Sequence, residues 1–239
     1  MFFAIVLSIV SVLLVVSVLL NVLQGKTNSE LKKAQGKLHH KMKNDLQILI
    51  SMFNLQGALE NNPRLETLLS RASDRVYALS QVHQFMYKSS KDGLFDVASF
   101  VRELGNYKIR NTQGSFVGTV VVIGNMFVSS EQSTALGLFI NEALDNAVKY
   151  GFNKKAKNAS AENSESPVAT VTVGLYAEGQ AKKYISIQDE GSGVPEKVKQ
   201  GSETGLGLTL MKTLANQLGG TLSLSDATVS RNAVILTWK

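Results

Sequence analysis

Asn141-Glu142-Ala143-Leu144-Asp145-Asn146-Ala147-Val148-Lys149-Tyr150 is the stretch on which the fold turns. Wound as a helix, it places Glu142, Asn146, Lys149 and Tyr150 within one stripe about 100° wide. Ile140, Leu144, Ala147 and Val148 take the opposite side and read as the face that packs on a sheet. A polar stripe is most often a solvated face, but two features favour another use. Asn is a poor helix former, so an interior Asn suggests a role outside the helix. An Asn oxygen beside a Glu carboxylate also suits Mg2+, which takes oxygen ligands and keeps several waters. Asn146 and Glu142 are therefore the candidate metal ligands.

Working outward, Ser129 and Gln132 have the spacing of a capping box and predict that this helix starts there and runs to about Tyr150. Upstream, Asp96 opens a predicted helix through about Tyr107, and Val117–Ile123 reads as a strand. Downstream, residues 153–166 are polar and read as a surface loop. Strands are predicted at about 168–177, 183–188, 221–225 and 232–238, with a helix at about 206–217 ended by Gly219 and Gly220. Asp189-Glu190-Gly191-Ser192-Gly193 follows a predicted strand. The strand end presents the Asp189 carboxylate to accept from an exocyclic amine, and the glycines let backbone approach a flat ring. Thr204-Gly205-Leu206-Gly207-Leu208 then opens a helix, whose N–H groups and positive dipole end suit phosphates. Each glycine cluster alone is most often a turn. The three elements in this order are the informative observation.

N-terminal to this α/β part the pattern is helical. Thr27 and Glu30 have capping-box spacing, and Leu31, Leu38, Met42, Leu49 and Phe53 form an apolar stripe. Asn61-Asn62-Pro63 marks a stop and restart. A second stripe follows at Leu65, Leu68, Leu69, Ala72, Val76, Leu79, Val82 and Met86. One hairpin cannot bury both stripes, so pairing two hairpins into a four-helix bundle predicts a homodimer. The alternative is a hairpin packed only on its own C-terminal domain. Residues 2–23 carry no charge and are long enough to cross a bilayer as a helix. A cleaved signal peptide lacks its basic start and its small-residue cleavage site here. Lysines follow the span and none precedes it, which places the remainder in the cytoplasm.

The 239-residue chain has a formal net charge of +6, and much of the excess is Lys26, Lys32, Lys33, Lys37, Lys41 and Lys43. Beside a span, such a cluster suggests contact with anionic lipid. No aromatic residues interleave with it, which argues against nucleic acid. There is no Cys, hence no disulfide framework and no Cys-ligated metal.

The ordered trio resembles the N, G1 and G2 boxes of the ATPase fold shared by histidine kinases, DNA gyrase and the mismatch-repair ATPases. His39-His40-Lys41-Met42-Lys43-Asn44-Asp45-Leu46-Gln47 resembles the HHRxKNNLQ phosphoacceptor box of one histidine-kinase subfamily, and the likeness continues through Asn54-Leu55-Gln56 and Val82-His83-Gln84-Phe85-Met86-Tyr87. The resemblance covers nearly everything from about residue 36 to the end. It implies a bacterial histidine kinase with a dimerisation and phosphotransfer hairpin at 26–92 and an ATP-binding α/β sandwich with a mixed sheet at 93–239. The apolar run read above adds a transmembrane anchor at 1–25.

The resemblance also implies site roles. His40 is the phosphoacceptor, Asn146 holds Mg2+ with Glu142 beside it, Lys149 meets phosphate, and Tyr150 packs near the adenine. Asp189 binds the adenine amine, Gly191 and Gly193 shape the base pocket, and Gly205 and Gly207 form the lid and phosphate end. ATP and Mg2+ are the implied cofactors. A response regulator is the implied partner, and the input is expected through the span, the lipid or a membrane sensor partner.

The chain departs from the family pattern at several positions. Lys41 stands where many relatives carry an acid, Asp45 replaces the second Asn of KNN, and no F box lies between Gly193 and Thr204. The related group with a His in the N box and a Trp-x-Glu element fits poorly, since Tyr150 replaces that His and the only Trp is Trp238. Two rivals share the fold: a non-catalytic phosphotransfer protein and an anti-sigma-type serine kinase. Intact Asn146, Asp189 and glycine pairs argue against the first, and the His-bearing hairpin against the second.

Overall fold

The computed structural model describes residues 30, 33–34, 36–38, 40–60, 62–88, 94–111, 117–151, 168–178, 182–191, 205–225 and 232–239. The expected anchor at 2–23, Thr27, the polar stretch 153–166 and Gly193 lie outside these residues. Among the described residues no helix is long and apolar enough to cross a membrane. Two compact units divide between Asp45 and Leu46. In the first, residues 30, 33–34, 36–38 and 40–45 are helical, and His40 is exposed.

The second unit begins with helix α1 at 46–59 and turns at Asn62 into α2 (Pro63–Lys88). The Asn62 side-chain oxygen accepts from the N–H groups of Arg64 and Leu65 at 3.1 and 3.2 Å, satisfying donors the first turn leaves open. Then come β1 (Leu94–Asp96), α3 (Val97–Asn111), β2 (Val117–Ile123), β3 (Phe127–Ser129) and α4 (Ser130–Gly151). The chain closes with β4 (Val168–Glu178), β5 (Lys182–Asp189), α5 (Leu206–Gln217), β6 (Thr221–Ser225) and β7 (Asn232–Trp238). Five strands form a mixed sheet in the order β2-β4-β5-β7-β6, with β2 parallel to β4 and every other pair antiparallel. Strands β1 and β3 make a separate antiparallel pair.

Helices α4 and α5 pack on the sheet and on each other, and α2 packs on α4. Helix α4 is thus the middle layer. Leu136, Phe139, Ile140, Ala143 and Leu144 are buried, as are Ile185, Ile187, Leu236 and Trp238 of the sheet. On the α2 side, Gly137 lets the helices close: a Cβ there would lie 2.2 Å from Val82 Cγ2. Phe85, Phe95 and Phe100 meet around this contact with ring centroids 5.1 to 6.4 Å apart. Asp96 caps α3, accepting from the Ser99 N–H at 3.1 Å and the Ser99 hydroxyl at 2.7 Å. Gly219 ends α5 with φ +66, the left-handed conformation that glycine adopts without a Cβ penalty.

Two expectations need correction. The Ser129–Gln132 capping box does not form; Gln132 Nε2 instead donates to the Lys239 carbonyl at 3.3 Å, and Ser129 ends β3. The buried stripe of the first helix is also rotated from the expected phase. Ile50 and Gly57 are buried, Phe53 is half-buried, and Leu49 is exposed, as is Leu38 in the first unit. The face that carries Ile50, Phe53 and Gly57 is the one turned toward α2: a Cβ on Gly57 would lie in ordinary contact with Glu66 and Leu69, at 3.7 to 3.8 Å. The opposite side of α1 carries Ile48, Met52, Leu55 and Leu59, all exposed. Their spacing repeats like a coiled-coil seam.

Candidate functional site

Glu142 and Asn146 stand one turn apart on α4, and the first turn of α5 lies over both. A Cβ built on Gly207 would sit 3.1 Å from Glu142 Oε2 and 4.0 Å from Asn146 Oδ1. Glycine at this position therefore keeps a small space lined by side-chain oxygens. Gly205 precedes it as the N-cap of α5 and makes no side-chain cap, so the first-turn N–H groups face that end without a side-chain acceptor. Hard oxygen donors beside open helix N–H groups fit a divalent cation and the phosphates it accompanies. No cluster of three or more His, Asp or Glu side chains suited to a metal occurs among the described residues. Mg2+ ordinarily keeps several waters and takes oxygens from the phosphates it accompanies, so two protein oxygens suit it.

Asn141 was not singled out in the sequence, yet it belongs to this site. It is buried, its Nδ2 donates to Glu142 Oε1 at 3.3 Å, and its own Oδ1 has no donor. A buried acceptor left open beside a carboxylate favours a cation or donor entering there.

A charged cluster backs the site. Arg75 of α2 forks onto Glu142, with Nε donating to Oε1 at 2.8 Å and a terminal nitrogen to Oε2 at 2.9 Å. The two side chains are 23% and 8% exposed. Lys108 of α3, 5% exposed, donates to Asp145 Oδ1 at 2.9 Å, and Lys149 donates to Asp145 Oδ2. Burial pushes the Asp145 carboxyl up, but Lys108 and Lys149 outweigh it and hold it below its ordinary value. Burial wins at Asp74, whose carboxyl is raised despite Lys108. The Glu142 hydrogen bond raises the Arg75 pKa further, against the effect of burial.

The candidate residues thus divide. Glu142, Asn146 and Gly207 come together, with Gly205 at the adjoining helix end. Lys149, expected at phosphate, is engaged by Asp145 one turn away. Asp189 ends β5 and accepts from the Gly191 N–H at 2.8 Å, which fixes the turn after the strand. Tyr150 is helical, and its side chain is outside the described set, as is Gly193. Arg75 and Lys108 carried no motif. Lys108 had a detectable signal, because it repeats with Val101 and Leu104 on the apolar face of α3, where a lysine calls for a buried partner.

Comparison with known proteins agrees with this layout. Residues 37–112 match the histidine kinase family model. Residues 131–239 match the histidine kinase-, DNA gyrase B- and HSP90-like ATPase model. Among curated proteins, the sensor histidine kinase PdtaS of Mycobacterium tuberculosis is 26% identical over 203 residues, covering 83% of this chain and 38% of that protein. The blue-light-activated histidine kinase 2 of Erythrobacter litoralis is 22% identical, covering 82% of this chain and 54% of that one. The chain therefore spans about half or less of the length of these relatives. Among solved structures, the histidine kinase domain of the Erythrobacter litoralis EL346 blue-light-activated kinase superposes with a TM-score of 0.55 at 20% identity. That match covers 88% of this chain and 92% of the other, and it speaks to the fold. Two family models in the expected order, at 37–112 and 131–239, show the histidine kinase arrangement of a kinase region followed by an ATPase domain.

Proposed function

We propose that this chain transfers the γ-phosphoryl group of ATP to His40 and passes it to an aspartate of a response regulator. The observation that carries the reading is the oxygen-lined space under Gly207, in an ATPase-type domain that follows a His-bearing hairpin. Asn146 Oδ1 and the Glu142 carboxylate are the ligands offered to Mg2+, which when bound would draw charge from the phosphates. The α5 N–H groups after Gly205 receive phosphate oxygens, and Asp189 accepts from the adenine amine. A neutral imidazole nitrogen is a competent nucleophile near pH 7. An N–P bond forms at His40, the P–O bond to ADP breaks, and the imidazole proton passes to solvent. Positioning and charge neutralisation supply most of the catalysis in such transfers.

The working protein is a homodimer through the hairpins. The exposed row Ile48, Met52, Leu55 and Leu59 supports this, since one chain leaves it uncovered. Residues 2–23 anchor the chain in the bacterial inner membrane with the kinase in the cytoplasm. The lysines after them meet anionic lipid, and the input arrives through the span, the lipid or a membrane partner. Segments 1–25, 26–92 and 93–239 act as anchor, phosphotransfer hairpin and catalytic domain.

Incubation with γ-labelled ATP tests the central step. Acid-labile label is expected in the wild type and in His39→Gln at a reduced rate, and none in His40→Gln. Near-normal label in His40→Gln would remove that histidine from the role.

A further inference from the structure

We propose that Arg75, carried by the hairpin helix α2, is a ligand of the terminal phosphate of ATP, held in place by Glu142. The inference rests on the nucleotide-site reading above and adds to it a residue from outside the ATPase domain.

The placement comes from three contacts. Arg75 forks onto Glu142, and Glu142 Oε2 is the atom nearest to a Cβ on Gly207. The guanidinium therefore stands one carboxylate away from the space between α4 and the α5 N-terminus. The fork engages Nε and one terminal nitrogen. A guanidinium carries further N–H groups, so it can bridge a carboxylate and a phosphate without leaving either.

Charge supports an anion there. Arg75, Lys108 and Lys149 are matched by Asp74, Glu142 and Asp145, the groups that face one another across α2, α3 and α4. Mg2+ with ATP brings net negative charge into this balanced cluster, which favours retaining the guanidinium. A second observation on α2 points the same way. One turn before Arg75, Arg71 has its Nε buried with no acceptor. This face of the hairpin thus has more guanidinium donors than the surrounding carboxylates occupy.

The consequence for mechanism is positional. A phosphate held partly by α2 ties nucleotide loading to the hairpin that bears the phosphoacceptor. Glu142 then has two tasks: it offers an oxygen to the cation and it aims Arg75.

Affinities of ATP and ADP for the full chain, by calorimetry with Mg2+, test this. Arg75→Gln is expected to weaken ATP by about tenfold and to leave ADP nearly unchanged, because only ATP carries the phosphate in question. Arg75→Lys keeps the charge but loses the fork, and is expected to weaken ATP by a smaller factor. Equal losses for both nucleotides would make Arg75 a structural residue only. Tighter binding of both would make it an inhibitory contact. Either result overturns the proposal. If Arg75→Gln does not fold, Arg75→Lys decides alone: an unchanged ATP-to-ADP ratio overturns it. A wild-type chain that binds neither nucleotide would instead sink the nucleotide-site reading.

Discussion

The two halves of the hairpin live in different surroundings. From Ser73 onward α2 is tied to the rest of the unit: Ser73, Ala78, Ser80 and Val82 are buried, and Arg75 is paired across to α4. Toward the turn, Leu55 is 62% exposed and Leu59 is 74% exposed, with Leu68 also open to solvent. Apolar composition is similar in both halves, so composition does not decide which is covered. What decides is whether α4 lies within reach. The lower half is specified by contacts inside one chain, and the upper half awaits a surface from elsewhere.

The largest expected effect is on the charged layer beside the packed half. Asp145→Asn removes the carboxylate to which buried Lys108 donates and is expected to cost about 3 kcal/mol at neutral pH. The sign of the pH dependence follows from the direction of the shift. Because the folded-state pKa of Asp145 is depressed, its contribution is complete above the ordinary value of 3.8 and is lost as pH falls through the lower folded value. Asp74 acts oppositely, since its raised carboxyl gains as protons bind. Urea unfolding of wild type and Asp145→Asn at pH 7, and again at about pH 3, is therefore expected to show a gap that narrows in acid. A gap that is the same at both pH values would contradict the assignment.

Gly137→Ala strikes the packed half directly. The added Cβ meets Val82 Cγ2 at 2.2 Å and Phe100 Cζ at 3.3 Å, so α2 must shift from α4. A loss of about 2 kcal/mol is expected, measured as a lower urea midpoint. A neutral result would mean that the two helices are not held at this distance. The smallest effect on single-chain stability is expected from Leu55→Ser with Leu59→Ser. Both side chains are exposed, so the unfolding midpoint at high dilution is expected to stay nearly unchanged. Light scattering at tens of micromolar protein should nevertheless show the dimer lost. A large drop in monomer stability would show that this half is already covered within one chain.

Much of the fold was legible because its signals are local. Strands at 117–123, 221–225 and 232–238 and the helix at 206–217 follow from short runs bounded by glycine and polar residues, and the structure has them at those positions. The three-residue strands β1 and β3 were missed, since they pair with each other and are too short to display a period. The phase of α1 was misjudged for a related reason. A helix with apolar residues on two sides has two credible stripes, and packing against α2, which periodicity does not contain, chooses between them. At the candidate site, Asn146, Glu142 and the glycines stood out as residue types in unusual places. Arg75 did not, because its meaning lies wholly in a contact with a residue distant in sequence.

The sheet order carries a consequence for how the chain reaches this structure. Strands β4 and β5 are joined by a short connection, and β6 and β7 follow in antiparallel register, so this part forms from near neighbours. Strand β2 must wait for β4, about fifty residues later, with the whole of α4 emerging between them. Closing that interval costs entropy before the parallel pairing returns any, so the slow event in folding is expected to be the arrival of β2 at the sheet edge. Until then Val121 and Ile123 belong to an unpaired apolar strand, which makes synthesis and refolding the stages at which this chain is most exposed to self-association.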